Sequence, residues 1–531
     1  MQAPSPLVSL DVYVDASEAF LWRATWTLET LLAPLGRTIA VTREPARAGE
    51  AALAYAPVPV AGVPTIPRSD QAMDLFAASR PLPAGAFARR APAGPVQQAV
   101  AGVAPTVVAA FPATDTAGFA APCDLVASSF ALLVCWDERT VSERDRYDRV
   151  PYSASVFATN PELKIDEPAV DGYVEFLRAL LTPRLATLGL EPLPQPGWMW
   201  GDERFAVALT HDVDNLWRWT RRGFAAAGYR TARGVYRRDW ASARRELGDA
   251  GDWLVRHLPR RSDPYWTFPR ILSGEDARGV TSTFFVIARH THKQDGNQPD
   301  TYRRRIPEAL SLLARHRREI GLHGNDADRL GLDPLIDDRA LLARTARAEV
   351  HGIRYHYLRC LYHETLPLLE RARFSYDTSL AFAEHEGFRC GCSFPFRPYS
   401  LAEERPLDLV ELPLAVMDGT LQQPHYRNLP AHEAERTAAA VFALVRASGG
   451  ASSLLWHNSR FDPRLSRGYD EVYWKLVEGV REQGGIATSA GSIVARWRKT
   501  FGLPEPSSLQ AAGTLTCAGR IDATSDARSM A

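Results

Sequence analysis

Phe205-Ala-Val-Ala-Leu-Thr-His-Asp-Val-Asp214 is the stretch of sequence that decides the fold. It begins with a short apolar run, which predicts a buried strand, and it ends in a cluster of polar side chains. Barrel and open α/β enzymes place catalytic residues at the carboxyl ends of such strands. Asp212 and Asp214 project to the same side of an extended chain, so one can bind a cation while the other takes a proton. An acidic turn or a helix cap would explain the same residues.

Length and composition indicate a folded, soluble protein. The 531 residues suffice for about two to four domains, and 46% hydrophobic with 23% charged residues is an ordinary composition. The net charge of zero gives no indication of nucleic-acid binding. The first residues have no basic or apolar segment of a signal peptide, and prolines interrupt the uncharged stretch 91–114. We therefore expect a cytoplasmic protein without a transmembrane segment.

Cysteine and histidine positions restrict where a metal site can lie. Six cysteines are scattered, and only Cys390 and Cys392 are closely spaced, which is a poor zinc pattern, so we expect free, buried thiols. All 13 histidines lie between His211 and His457. A site built on imidazole therefore belongs to the later part of the chain.

The chain divides into four predicted regions. Residues 1–140 contain short apolar runs and helical segments and predict a small α/β domain of unknown role. Residues 141–200 are a connector with one helix, and a proline-rich end marks its boundary. Residues 201–500 form the second domain. Residues 501–531 are rich in Ser, Ala, Thr and Gly, which predicts a disordered tail.

An arginine-rich segment with interleaved aromatic residues follows the first motif, over residues 215–262. Amphipathic helices with solvated arginines and buried aromatics would explain this pattern. A basic surface for an anionic glycan or a membrane face would also explain it.

Apolar runs of strand length alternate with helical segments through the rest of the second domain, and most runs end in a polar group. Alternation of this kind over about 300 residues predicts a closed or nearly closed parallel β/α barrel. The runs after the first are 279–288, 319–328, 349–356, 374–377, 407–413 and 452–458.

The order of these segments resembles the polysaccharide deacetylase (NodB-homology) family over about residues 203–500. The H-D-V-D form of the first motif and the N-terminal region resemble a bacterial subgroup with an uncharacterised N-terminal domain. The resemblance implies an α/β fold: a distorted seven-stranded (β/α) barrel of the deacetylase type preceded by a smaller α/β domain. The five segments that carry it are Thr210-His-Asp-Val-Asp214, Thr281-Ser-Thr-Phe-Phe-Val286, Gly321-Leu-His-Gly324, Arg354-Tyr-His-Tyr357 and Leu455-Trp-His-Asn458.

The resemblance also implies an activity, the metal-dependent removal of an N-acetyl group from a carbohydrate. Asp212 matches the family's base, and Arg354 matches the residue that orients it. His457 matches the general acid, with Asp418 as its support. Asp214 and His323 match metal ligands.

One position departs from the family pattern, because the usual second histidine of the third motif is replaced by Ala327. Zinc sites have three protein ligands and an open position. We expect His356 as the third ligand, since it follows the next strand, although a core histidine would explain it equally. An oxygen-rich set would favour harder ions, so cobalt, manganese or nickel are alternatives to zinc. The other candidates for the third ligand are Asn325, Asp326, Asp328 and His211.

Two further functions stay open. The barrel can be a metal-free, inactive module that binds a glycan or serves as a scaffold, which the alanine at position 327 favours. It can also hydrolyse another non-peptide C–N bond, such as that of a cyclic imide or a ureide. In each enzymatic case the expected partner is a carbohydrate or another small amide-bearing substrate, with no nucleic acid.

Overall fold

The computed structural model describes most of the chain. The described residues are 7–91, 106–113, 117–219, 221–240, 243–244, 246–248, 251, 263–290, 292, 295, 299–326, 328 and 331–504. Position 327, most of the predicted tail and much of the arginine-rich segment lie outside these residues.

The N-terminal part is built on a four-stranded parallel sheet with the order β2-β1-β3-β4. Asp124 caps the helix Leu125–Leu133 by accepting a hydrogen bond from the backbone of Ala127 at 2.8 Å. The elements are β1 Val8–Val14, α1 Glu18–Leu32, β2 Arg37–Thr42, β3 Leu53–Ala56, β4 Thr65–Pro67, α2 Asp70–Ala77, β5 Ala88–Arg90, β6 Val107–Ala109, α3 Leu125–Leu133, α4 Val156–Thr159 and α5 Ala169–Thr187.

The second part is a distorted parallel barrel whose strands alternate with helices. Its strands are β7 Phe205–Val213, β8 Thr283–Val286, β9 Glu319–Gly324, β10 Gly352–Tyr355, β11 Tyr376–Asp377, β14 Val410–Glu411, β15 Leu414–Met417 and β16 Ala451–Leu455. A small antiparallel pair consists of β12 Tyr399–Ser400 and β13 Arg405–Pro406. A further strand, β17 Gly485–Thr488, pairs with β7. Its helices are α6 Arg221–Tyr236, α7 Phe268–Arg278, α8 Pro299–Arg315, α9 Leu332–Ala346, α10 Tyr362–Arg371, α11 Asp418–Gln422, α12 Ala431–Ser448, α13 Pro463–Ser466, α14 Tyr469–Glu482 and α15 Ala490–Thr500.

The barrel closes through a strand that is interrupted in its middle. The parallel order is β14-β11-β10-β9-β8-β7-β16-β15, and only Leu412 and Pro413 separate the two edge strands along the chain. Leu412 donates to Asp377 of β11 at 2.9 Å, and Pro413 accepts from Ser453 of β16 at 2.7 Å. Because β14 and β15 act as one strand, seven strands surround the interior. The expected α/β class and distorted barrel are confirmed.

Two details differ from the sequence-based expectations. The run 279–288 forms a strand only from Thr283, because Gly279 adopts a left-handed φ of 63° and ends helix α7. The expectation of buried aromatics in the arginine-rich segment holds for Trp219 but is wrong for Trp240 and for the pair Tyr229 and Tyr236, which are exposed. These two lie seven positions apart on one face of α6, and it is the small Ala227 that is buried.

The N-terminal part packs directly against the barrel. Arg389 forms a buried ion pair with Glu138, and the backbone of Tyr362 donates to the same carboxylate at 3.1 Å. Trp26 donates its indole N–H to the carbonyl of Arg397 at 3.0 Å. These contacts connect residues that are more than 200 positions apart, so one packed core serves both parts.

Two other expectations concern thiols and membranes. The described cysteines are free and buried, as expected; they are Cys123, Cys135, Cys360, Cys390 and Cys392. Among the helices that the structure describes, each is too short or too polar to cross a bilayer.

Candidate active site

Strand β7 delivers two carboxylates to the barrel interior. All nine of its residues are buried, as expected for a central parallel strand. Asp212 is almost fully buried at its carboxyl end, and Asp214 follows directly. His211 points the other way, because alternate residues of a strand face opposite sides. Its ring nitrogens lie 2.8 Å from the carbonyl of Trp456 and 3.1 Å from Glu275, so His211 is not beside Asp214.

Three donor residues converge next to β7. Nε2 of His323, on β9, lies 3.1 Å from Oδ1 of Asp214. Nε2 of His356, directly after β10, lies 3.7 Å from the same oxygen. One ligand atom from each of the three residues lies within 4.8 Å of the others. The set of one carboxylate and two imidazoles suits a divalent transition-metal ion, with room for a further ligand.

A backbone hydrogen bond orients His323 for this role, and burial keeps His356 in its neutral form. Nδ1 of His323 lies 2.9 Å from the carbonyl of Arg354, so that nitrogen carries the proton and Nε2 faces Asp214. Burial lowers the pKa of His323, but the carboxylates of Asp212 and Asp214 outweigh this effect and raise it. Burial lowers the pKa of His356 to about 4, which keeps its imidazole neutral. A neutral imidazole is the form that coordinates a metal.

The other candidates for the third ligand have different partners. The side-chain amide of Asn325 donates to Asp338 at 2.7 Å, and Asp326 pairs with Arg359 at 2.5 Å. Asp328 accepts from the backbone of Asn325 at 2.9 Å. Position 327 lies outside the described residues.

Asp212 is held by a buried arginine. Arg354, on β10, is fully buried and donates to Oδ1 of Asp212 at 3.1 Å and to the hydroxyl of Thr210 at 2.7 Å. Its guanidinium lies 4.7 Å above the ring of Phe285. A Cβ at Gly321 would lie 2.5 Å from that ring, so the glycine leaves the space that Phe285 needs. The Asp212 carboxylate is therefore fixed at one side of the three donors, 3.7 Å from His323.

His457 also lies next to these donors. Its Nε2 is 3.4 Å from Oδ2 of Asp214, and its Nδ1 is 2.6 Å from Oδ1 of Asp418, which is fully buried. The backbone N–H of His457 also donates to Asp418 at 3.1 Å. Burial lowers the pKa of His457, but Asp418 and Asp214 outweigh it and raise the pKa to about 9. Burial raises the pKa of Asp214, but the imidazoles of His356, His457 and His323 hold it well below its ordinary value.

Sequence reasoning missed part of the surrounding cavity. The cavity of about 220 Å³ above Asp212, Asp214 and His457 is also lined by a loop of the N-terminal part. This loop lies within residues 141–200, for which the sequence predicts a connector with one helix. A tyrosine set among three arginines, Arg144, Arg146 and Arg149, is the sequence signal that could have suggested a binding role. The lining residues from this loop are Arg146, Tyr147 and Arg149.

Comparisons with known proteins find one family match, which lies in the N-terminal part. Residues 82–185 match a family of unknown function, DUF7033. No curated protein matches the sequence.

Solved structures with a similar barrel include three proteins. One is a candidate polysaccharide deacetylase from Mycobacterium smegmatis, with 20% identity, a TM-score of 0.38, and coverage of 59% of this chain and 95% of that one. Another is Puue allantoinase, with 14% identity, a TM-score of 0.38, and coverage of 60% and 98%. The third is BA3943, a CE4 family pseudoenzyme from Bacillus anthracis, with 10% identity, a TM-score of 0.30, and coverage of 55% and 66%.

Proposed function

We propose that the chain is a metal-dependent hydrolase that removes an N-acetyl group from a carbohydrate. The observation that carries the proposal is the grouping of Asp214, His323 and His356, whose donor atoms lie within 4.8 Å of one another, between Asp212 and His457. Amide hydrolysis needs a base for the water and an acid for the leaving amine. The two groups that flank the donors have the chemistry for these tasks.

The metal assignment follows from the donor set. Zinc with two histidines, one carboxylate and an open position is a common hydrolytic arrangement, and cobalt, manganese or nickel suit the same donors. The carbonyl of Arg354 orients His323 in the way that outer hydrogen bonds orient metal-bound histidines. When bound, a divalent ion supplies Lewis acidity, which activates a water molecule and polarises the amide carbonyl.

Asp212 acts as the base in this proposal. It accepts the proton of the attacking water through the carboxylate oxygen that Arg354 does not hold. Arg354 has hydrogen bonds to Thr378 and Ser453 as well, so its position is fixed from several sides. This leaves the Asp212 carboxylate little freedom to turn away, which lowers the ordering cost of the reaction.

His457 acts as the acid. Its Nε2 faces the donors, and its Nδ1 is held by Asp418 at 2.6 Å. A carboxylate on Nδ1 fixes the orientation of the ring and stabilises its protonated form. His457 gives the Nε2 proton to the departing amine, which leaves as the free amino sugar, while the acetyl group leaves as acetate.

The test is acetate release from N-acetylated sugars by the full chain, after chelation and after reloading with zinc, cobalt, manganese or nickel. We expect activity that depends on the metal and is lost in Asp212→Asn. We expect His323→Ala to lose the metal as well, measured by elemental analysis. The matched controls Asp202→Asn and His432→Ala change exposed residues and keep both properties.

Three outcomes would reject the proposal or favour another function. Equal acetate release by the wild type and by an Asp212→Asn, His323→Ala double variant would reject it. A chain that takes up no metal would favour the inactive, glycan-binding barrel. Stoichiometric metal without acetate release would favour hydrolysis of a cyclic imide or a ureide.

A further inference from the structure

A loop of the N-terminal part forms one wall of the candidate active site. Residues 145–149 lie far from the barrel in sequence, yet they share the cavity with His356 and His457. Tyr147 stacks on Tyr357, with ring centroids 4.2 Å apart and planes at 13°. Tyr357 in turn stacks on His356 at 3.9 Å and 21°. The loop therefore reaches the candidate metal site through a continuous stack of rings.

The loop is held in a defined conformation by Asp145. This carboxylate accepts from the backbone N–H groups of Tyr147 and Arg149, at 2.8 and 3.0 Å. It also accepts two hydrogen bonds from the guanidinium of Arg149, at 2.9 and 2.6 Å. The charge of Arg149 is therefore matched inside the loop, and this arginine is not available to an anionic ligand.

Arg146 differs from Arg149 in this respect. Within the part of the chain that the structure describes, its guanidinium has no ion pair and no hydrogen bond. It lies over the ring of Tyr147, at 4.6 Å from the ring centroid, and it is exposed at the cavity. A stacked guanidinium keeps its N–H donors free at the edge, where they can bind two oxygens at once.

We propose that Arg146 binds an anionic group of the substrate, a phosphate or a carboxylate, while the amide lies at the candidate metal site. This inference rests on the proposed function and names its substrate class, an acidic N-acetylated sugar. Three steps of 4.6, 4.2 and 3.9 Å lead from Arg146 through Tyr147 and Tyr357 to His356. The anion therefore lies well beyond the atoms next to the amide, and the aromatic rings offer a flat surface to the sugar between them.

The volume of the cavity agrees with such a substrate. At about 220 Å³ it is smaller than the sites of about 300–1,000 Å³ that enclose drug-sized ligands. The cavity would enclose the N-acetylated ring and leave the anionic group at the rim, where Arg146 is exposed. Because the rim is in contact with water, the interaction is expected to weaken with added salt.

Binding measurements test the anion site separately from catalysis. We would titrate the full chain, both zinc-loaded and chelated, with N-acetylglucosamine, N-acetylglucosamine 6-phosphate and 2-acetamido-2-deoxyglucuronic acid by isothermal calorimetry, since both anions then lie across the sugar ring from the amide. The wild type is expected to bind the phosphate or the carboxylate sugar about tenfold or more tighter than the neutral sugar. The two charged sugars distinguish the two kinds of anion.

Variants assign the preference to one side chain. R146Q is expected to abolish the preference for the charged sugar, and R146K to restore part of it, because lysine keeps the charge but not the paired donors. R144Q is the matched control, since Arg144 directly precedes the loop and does not line the cavity, and within the described residues its hydrogen bonds go to the backbone carbonyls of Val141 and Glu143. It is expected to keep the preference.

Several results would overturn the inference. They are equal binding of charged and neutral sugars by the wild type, an unchanged preference in R146Q, an equal loss in R144Q, or no binding of any of the three sugars. Loss of the proposed function would be seen differently, as absent acetate release from every sugar by the metal-loaded wild type. A chain that prefers charged sugars but releases no acetate would keep the anion site and reject the deacetylase.

Discussion

Arg149 donates a hydrogen bond to the backbone carbonyl of Tyr357 at 2.7 Å, and this bond joins the N-terminal part to the strand end that carries His356. Tyr357 and Leu358 adopt positive φ angles of 61° and 57°. Such angles cost a residue other than glycine about 1–2 kcal/mol. The contact from Arg149 therefore holds a strained turn in place beside the candidate metal site.

Replacing Arg149 with alanine is expected to destabilise the chain by about 3 kcal/mol, because the largely buried Asp145 loses its cation and the turn at Tyr357 loses its anchor. Urea unfolding, followed by tryptophan fluorescence, measures the change. Arg89→Ala is the matched control, since its pair with Glu162 is half exposed and should contribute less than about 1 kcal/mol. Similar losses in both variants would contradict the anchoring role.

Replacing Asp418 with asparagine is expected to lower kcat for amide hydrolysis by about 10²–10⁴, because His457 loses the carboxylate that orients it and stabilises its protonated form. The matched comparison uses another substrate. Hydrolysis of p-nitrophenyl acetate needs no proton for its leaving group, so the same variant should lose less than about tenfold there. Equal losses on both substrates would show that Asp418 does not act through the general acid.

Two glycine substitutions are expected to change stability in opposite directions. Gly321→Ala should destabilise by about 1–3 kcal/mol, because the new Cβ would lie 2.5 Å from the ring of Phe285. Gly172→Ala, inside helix α5 with open space around it, should stabilise by about 0.5–1 kcal/mol. Thermal unfolding of both variants checks the signs, and a destabilised Gly172→Ala would mean that the helix packs more tightly than described.

The barrel could be predicted because its strands are marked locally. The apolar run that begins at Phe205 is long enough to cross a core. Hydrophobic packing does not explain the polar residues at its end. His211 shows how far this reasoning extends. Alternation along the strand places it opposite Asp212, so its orientation away from the candidate site could have been expected from the sequence, whereas its contact with Glu275 could not.

The rest of the site depends on contacts between distant residues. Asp326 and His356 both follow strand ends, and the sequence does not show that Arg359 pairs with the first, while the second turns toward Asp214. The wall formed by Arg146 is harder still to predict, because it depends on how the N-terminal part packs on the barrel. Packing of this kind has no local sequence pattern.

A pair of buried acids where the barrel closes also depends on contacts between distant residues. Asp377 of β11 and Glu411 of β14 are register partners, and both are fully buried. Burial, together with the charge of Asp377, raises the pKa of Glu411 well above its ordinary value of 4.5. Burial also raises the pKa of Asp377. The folded chain therefore retains protons that the unfolded chain releases.

This pair predicts a pH dependence of stability with a definite sign. Below the ordinary pKa both states hold the proton, so the contribution of Glu411 is complete there. As the pH rises toward the raised pKa, only the unfolded state releases the proton, and the free energy of unfolding falls by about 1.4 kcal/mol per pH unit.

Glu411→Gln removes this loss. Its stability relative to the wild type is therefore expected to increase between about pH 5 and about pH 8, measured by urea unfolding at both values. Glu482→Gln, at the exposed end of α14, is the matched control and should show a constant difference. A constant difference for Glu411→Gln as well would mean that Glu411 is ionised in the folded chain and that another group compensates its charge.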